Sequence, residues 1–309
     1  MKRKQKVSHK WFWVGFLAIL LGAPNATIIK YTSADIDTYV FNCLRFALPT
    51  IICLPYIYKT RKQLNRKSLG YAALVGLFLS IAVITFVPAL KMAPASYVSI
   101  LTLISPIIFV MYSIKLTSDK IDSRAIVGIT MAALGAFVIV FLPVALAQGG
   151  KFEFYPESTI LMLINALTYP LAVIYSRKSN EAGLNLISVM GISSIIIVAV
   201  NAVIVLGSLS WQPEEVTGRA LIGIVYSGII VALIARALAV ASYEHVGAAV
   251  ISSLTYLETM IAIAIPMFFL GEKLSIGMVA GGALILTGVY LAEHHKSKHS
   301  SHFHLHRHH

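Results

Sequence analysis

Glu258 is the residue in this sequence best placed to do chemistry. It lies in "ISSLTYLETMIAIA" (251–264), inside an apolar run from about 247 to 270. The other twelve carboxylates fall in loops or at the ends of such runs, so Glu258 alone sits deep within one. Stepping back in threes from it reaches Thr255 and Ser252, which puts three oxygen-bearing side chains along one slowly drifting helix face. Ser99, Thr102 and Ser105 repeat that spacing elsewhere. A polar stripe of this kind turns away from lipid, either to hydrogen-bond between helices or to line a cavity, and for the hydroxyls both readings stand. A charge is different. An ionised carboxylate at the bilayer centre costs about 2.5–3.5 kcal/mol on an insertion scale. It escapes that cost by protonation, by pairing or by facing water. The functional reading of Glu258 is a contact for a substrate amine or a proton site, and the alternative is a protonated or paired structural residue. Two cations also fall within apolar runs, Arg45 and Arg236. Each is near enough to a run end to snorkel to an interface. Lys30 closes the first run and reads as an interface anchor.

The elements that must carry these residues are membrane helices. The 309 residues are 58% hydrophobic and only 12% charged, with a mean hydropathy of +0.80. A soluble domain carries about 25% charged residues. The apolar runs fall at about 11–29, 38–58, 68–89, 93–115, 122–146, 156–176, 184–208, 218–242, 247–270 and 275–292. Runs of this length cross a hydrocarbon core of about 30 Å as helix. The ten-residue alternating segments of a barrel are absent. The chain is therefore expected to be an all-α polytopic membrane protein with ten spans.

Net charge is +12, which in a soluble protein would raise nucleic acid as a partner. Here the positive charges sort by side of the membrane. With the N-terminus cytoplasmic, 18 Lys and Arg residues fall on the cytoplasmic side and 5 on the other. That bias predicts a multi-pass protein of the cell (inner) membrane with both termini cytoplasmic. The first run follows a basic start without a small-residue cleavage site and reads as a retained helix. Cys43 and Cys53, ten residues apart in one span, give no disulfide framework.

The sequence also repeats itself. At an offset of 153 residues, "YVSILTLISPII" (97–108) lies over "VISSLTYLETMI" (250–261). Ser99 then falls on Ser252, Thr102 on Thr255 and Ser105 on Glu258, while Pro106 falls on Thr259. The register continues ungapped through Asp119-Lys120 on Glu272-Lys273, Gly128 on Gly281 and Gly135 on Gly288. A shorter match at offset 146 sets Pro24 on Pro170. Five spans per half is an odd number, so the halves are expected to enter the membrane from opposite sides. Inverted repeats are a common transporter plan, with the substrate site near the midplane between halves. The expected units are a basic tail (1–10), a first repeat (11–146), an outer loop (147–155), a second repeat (156–292) and a His-rich tail (293–309).

Several stretches carry a family resemblance. "GAAVISSLTYLETMIAIAIPMFFLGEKLSIGMVAGGALILTGVYLA" resembles the last two helices of EamA-type carriers of the drug/metabolite transporter superfamily. "ALKMAPASYVSILTLISPIIFVMYSIKL" is similar to the matching part of their first half, and "LLGAPNATIIK" and "LRFALP" to their first two helices. The resemblance covers about 11–292. It implies ten helices, with the first, third, fourth, sixth, eighth and ninth around a central cavity and the fifth and tenth packed peripherally. It also implies that the substrate is an amino acid or other small metabolite, most often exported. The chain departs from the family at Thr259, where members often carry proline after the "YLE" pattern. It departs again within the third and eighth runs, at "ITFVPAL" and "LIARALAV", where members often carry aromatics. Because the resemblance places the eighth helix at the cavity, Arg236 becomes the favoured partner for Glu258, in an ion pair that a zwitterion would break.

Pro24 and Pro170 remove backbone donors in the first and sixth runs. Carbonyls freed beside a cavity can bind substrate, although the same kink can serve packing alone. Asn25 and Tyr169 add polar groups there. The candidate substrate-binding set is thus Glu258, Arg236, Asn25, Ser99, Thr102, Ser105, Pro106, Tyr169, Ser252, Thr255, Tyr256 and Thr259. The expected partners are a small-molecule substrate and the lipid bilayer, with a homodimer compatible but not required. "GMVAG" (277–281) is a small-residue pattern that packs the tenth helix on a neighbour or a second protomer. Eight of the ten histidines crowd into the last sixteen residues. Their spacing marks no defined metal site, and the tail is expected to lack packed structure. No cofactor site, nucleophile–base pair or Walker A sequence is present. The expectation is a secondary carrier, probed against uptake of a nucleoside-like or cofactor-like metabolite and against a non-transporting scaffold or receptor.

Overall fold

The computed structural model describes residues 9–61, 64–117, 155–208, 216–243 and 248–299, with several positions between 127 and 138. Every regular element among them is helical. In order these are α1 (His9–Gly22), α2 (Asn25–Thr32), α3 (Thr38–Thr60), α4 (Arg66–Met92), α5 (Ala95–Leu101) and α6 (Ile104–Thr117). The second part has α7 (Pro156–Glu181), α8 (Leu186–Ser208), α9 (Gly218–Val225), a π-helical segment (Tyr226–Ala235), α10 (Arg236–Tyr243), α11 (Ala248–Phe269) and α12 (Ile276–His299).

Among the described residues, six helical stretches are long and apolar enough to cross a membrane, and three shorter apolar helices join them. The fifth expected run (122–146) falls mostly outside the described residues, as does the outer loop. α4, with 27 residues, extends about 40 Å. Large apolar side chains such as Phe268 and Phe269 are 84% and 79% exposed, so the outer surface of the bundle is greasy and suited to lipid. The core gathers Phe41, Val87, Leu90, Tyr97, Leu101 and Met162, with a second cluster around Val75, Leu79 and Ile197.

Local chemistry fixes where the helices start. Asp37 caps α3 by accepting from the Tyr39 and Val40 amides at 2.8 and 3.0 Å. Asn65 caps α4 through the Ser68 amide at 2.7 Å. Thr217 does the same for α9 through Ala220. These side chains satisfy amides that the first helical turn leaves without partners.

Seven of the prolines divide into two groups. Pro49, Pro55, Pro88, Pro170 and Pro266 all sit inside continuous helices. Pro24 and Pro106 accompany interruptions instead. The first span breaks at Ala23–Pro24, between α1 and α2. The fourth breaks at Thr102–Leu103, just before Ser105–Pro106. At that break the bonds tighten to i→i−3, with Leu103 donating to Ile100 (3.1 Å) and Ser105 to Thr102 (3.0 Å). Thr102 Oγ1 also turns back onto the Ser99 carbonyl at 2.6 Å. α11 carries Thr259 at the position matching Pro106 and runs unbroken, because threonine keeps its amide. The expected kink at Pro170 therefore does not interrupt its helix.

Packing brings the two parts of the chain together. α4 lies along α7 and α8, and α3 along α8. α1 packs on the π-helical segment, α10 and α11, while α5 packs on α11 and α6 on α7. The glycine pattern at 277–281 packs within the chain, since a Cβ at Gly135 would meet the Gly281 carbonyl oxygen at 2.6 Å. The last helix runs past its expected end at 292 to His299, into the tail expected to lack structure. Residues 300–309 lie outside the described residues.

Candidate functional site

The centre of the site is the break in the first span. Gly22 closes α1, and Pro24 then withholds the amide that would have bonded the carbonyl of Leu20. Glu258, from α11, presses against this point. A Cβ built on Gly22 would sit 2.7 Å from Glu258 Oε1. Only a glycine lets the carboxylate come so near the helix end. One residue earlier, the Leu21 carbonyl accepts from Tyr226 Oη at 2.8 Å. Tyr226 opens the π-helical segment. Asn25, on the far side of the break, holds its Oδ1 buried with no hydrogen-bond partner.

The fourth span supplies a second polar face. Ser99 and Ser105 are buried, and the Ser99 hydroxyl has no partner of its own. α5 packs on α11, so the interrupted helix and the glutamate-bearing helix are neighbours. The side chains of Ser252, Thr255 and Tyr256 lie outside the described residues. Tyr169 is 43% exposed while Pro170 beside it is buried.

No ion pair joins Glu258 to Arg236 or to Arg45 among the described residues, so the expected Glu258–Arg236 pair does not form in this conformation. Arg236 begins α10, which shares α1 as a neighbour with α11. Arg45 does not snorkel. It is 5% exposed, its guanidinium lies 4.8 Å from the Phe46 ring and 5.7 Å from that of Phe41, and its Nε has no hydrogen-bond partner. Aromatic faces take the place of an interface for this cation.

Lys30 is not a simple interface anchor either. It pairs with Glu272 at 3.6 Å and donates to the carbonyl of Ala93. These residues belong to a cavity of about 570 Å³ at one end of the bundle, lined by Lys30, Tyr31, Lys91, Tyr155, Arg219 and Glu272. This cavity lies at a mouth, and Glu258 is not among the residues that line it.

Residue-type reasoning missed Gly22 and Tyr226. Tyr226 is an aromatic in the eighth run, and that was its available signal. Gly22 had none beyond its place two residues before a proline.

Among the described residues no group of His, Cys, Asp and Glu is arranged to hold a metal ion. No curated protein matches the chain. A solved crystal structure of a protein aligns with a TM-score of 0.60 and 18% identity, over 94% of this chain and 98% of that one, which shows the fold. The model of the EamA-like transporter family matches residues 9–141 and again 158–293, one match to each half. With its broken first span, its apolar exterior and two matches that together cover most of its length, this multi-pass membrane protein belongs to the EamA-like transporter family.

Proposed function

We propose that the protein is a secondary carrier that exports a small polar or zwitterionic metabolite, an amino acid or related compound, by alternating access. The observation that carries this is the Glu258 carboxylate held against the Gly22 end of a broken helix, with no cation paired to it among the described residues. Carboxylate, freed helix-end carbonyl and the unpartnered Asn25 Oδ1 are all acceptors, and an ammonium group is the donor they lack. A proton on Glu258 would serve the same place between substrates, which is the reading for proton coupling.

Two inverted five-helix halves, with both termini in the cytoplasm, suit the packing. Exchanging the halves turns the contact of α4 with α7 into that of α10 with α1. The same exchange turns α1 on α11 into α7 on α6. The residues around the mouth come from connections that alternate traversal would bring to one side. Each of these agreements supports the reading.

Flux in proteoliposomes tests it. A panel of amino acids and related zwitterions is expected to yield at least one transported compound. Glu258→Gln is expected to weaken its binding at least tenfold and to flatten the pH dependence of its transport. Wild-type affinity and wild-type pH dependence in that variant would remove Glu258 from the mechanism.

A further inference from the structure

We propose that Glu272 is a latch that holds one end of the carrier shut, an inference that rests on the carrier reading. Its carboxylate reaches across the bundle to the start of α5. Oε1 accepts from the Ala95 amide at 2.7 Å, and Oε2 accepts from the Ser96 amide and Ser96 Oγ, both at 2.8 Å. Lys30, at the end of the first span, pairs with the same carboxylate. One side chain thus ties together the first span, the hairpin between α4 and α5, and the hairpin between α11 and α12.

The tie differs from ordinary helix capping. A start is normally capped by the residue just before it. α5 has Pro94 there, and Pro94 makes no side-chain cap. The acceptor comes instead from 176 residues away, in the other half of the chain. The turn that presents it is specific. Gly271 takes φ +65°, a conformation that favours glycine, and the Glu272 amide bonds back to the Pro266 carbonyl. The pair is also partly shielded, with side-chain exposures of 26% for Lys30 and 9% for Glu272. It is not the freely solvated surface pair that contributes almost nothing.

Neighbouring contacts close the same end. Arg219, at the start of α9, pairs with Asp35 and lies 5.2 Å from the Tyr31 ring. Lys91 donates to the Ile36 carbonyl at 2.6 Å. All of these join elements that alternating access must separate. The cavity of about 570 Å³ above them is where water can reach the Ala95 and Ser96 amides once Glu272 lets go. Opening therefore exchanges bonds and leaves no buried donor unmet.

Accessibility labelling decides the matter. The reporter is Ser99→Cys, one turn beyond the latch and 3% exposed, in a Cys43→Ala, Cys53→Ala background. A membrane-impermeant maleimide is applied to vesicles of both orientations. Glu272→Gln is expected to raise the labelling rate at least tenfold from the side opposite the termini and to lower it from the other side. Ser96→Ala and Lys30→Gln, which leave the carboxylate on the α5 amides, are expected to give smaller rises and serve if Glu272→Gln fails to fold. Rates within twofold of the parent from both sides in all folded variants would overturn the latch. A flux assay on the same latch variants without the reporter separates the two readings. Altered labelling with no flux of any panel compound refutes the carrier, and flux with unaltered labelling refutes the latch.

Discussion

Gly22→Ala is the sharpest test of the central site, because it should separate function from stability. The added Cβ would stand 2.7 Å from Glu258 Oε1, against a usual carbon–oxygen separation of about 3.3 Å. The carboxylate must retreat by about 0.6 Å, and as the far end of a flexible side chain it can. An off-rotamer adjustment costs about 0.5–1.5 kcal/mol. Replacing glycine by alanine in a helix returns about 0.5–1 kcal/mol. The two nearly cancel, so the midpoint of thermal unfolding in detergent should move by no more than a few degrees. Binding should not escape. A hydrogen bond to a charged group contributes about 1.5–3 kcal/mol. Loss of most of it weakens substrate binding by roughly ten- to a hundredfold. Half-saturation of flux in proteoliposomes measures this. In a Glu258→Gln background the same alanine should add little, because both changes act on one contact. Wild-type half-saturation in an intact Gly22→Ala protein would refute the argument, and so would an equal loss in both backgrounds.

Two further outcomes follow from packing. Gly135→Ala places its Cβ 2.6 Å from the Gly281 carbonyl oxygen and 2.8 Å from the Ile285 amide nitrogen, and backbone cannot rotate aside. The expected cost is about 1–3 kcal/mol, seen as a lower unfolding midpoint, and an unchanged midpoint would deny the close approach. Arg45→Met keeps length while removing a buried charge, so stability should hold or rise by about 1–3 kcal/mol with flux retained. Lost flux in a stable Arg45→Met protein would instead place that cation on the substrate path. The repeat adds an outcome of its own. Asp119 aligns with Glu272, and Asp119→Asn is expected to shift maleimide labelling toward the side that carries the termini, whereas a shift the same way as Glu272→Gln would contradict the inverted register.

The sequence made some of this visible and hid the rest for physical reasons. Apolar runs announce spans because lipid forces every backbone group to bond within its own helix. The self-match at offset 153 already separated Pro106 from Thr259, and the structure turns that difference into one broken and one continuous helix. The break at Pro24 was legible for the same reason, since proline lacks an amide. Pro170 was not, because whether a helix bends or breaks at proline depends on what packs around it. Arg45 reads as an interface residue from its distance to the run end. Only tertiary placement between Phe41 and Phe46 shows otherwise. The latch was invisible as well. Lys30 and Glu272 are hundreds of residues apart and each looks like a flanking charge. Gly22 carries no chemistry at all, and its role is the space it leaves.

The π-helical segment had no local signal either, for "YSGIIVALIA" reads as ordinary apolar helix. Each of its turns holds about one residue more than the 3.6 of an α turn. Faces counted at α periodicity therefore drift out of phase across it, and Arg236, just beyond, does not point where a helical wheel would put it. The same surplus has an evolutionary meaning. A π segment is a helix with residues to spare, so a single-residue deletion between Tyr226 and Ala235 could relax it toward α geometry without breaking the span. The eighth span is thus the one where chain length itself is negotiable, and lineages of this protein should tolerate indels there that the uninterrupted α-helical spans reject.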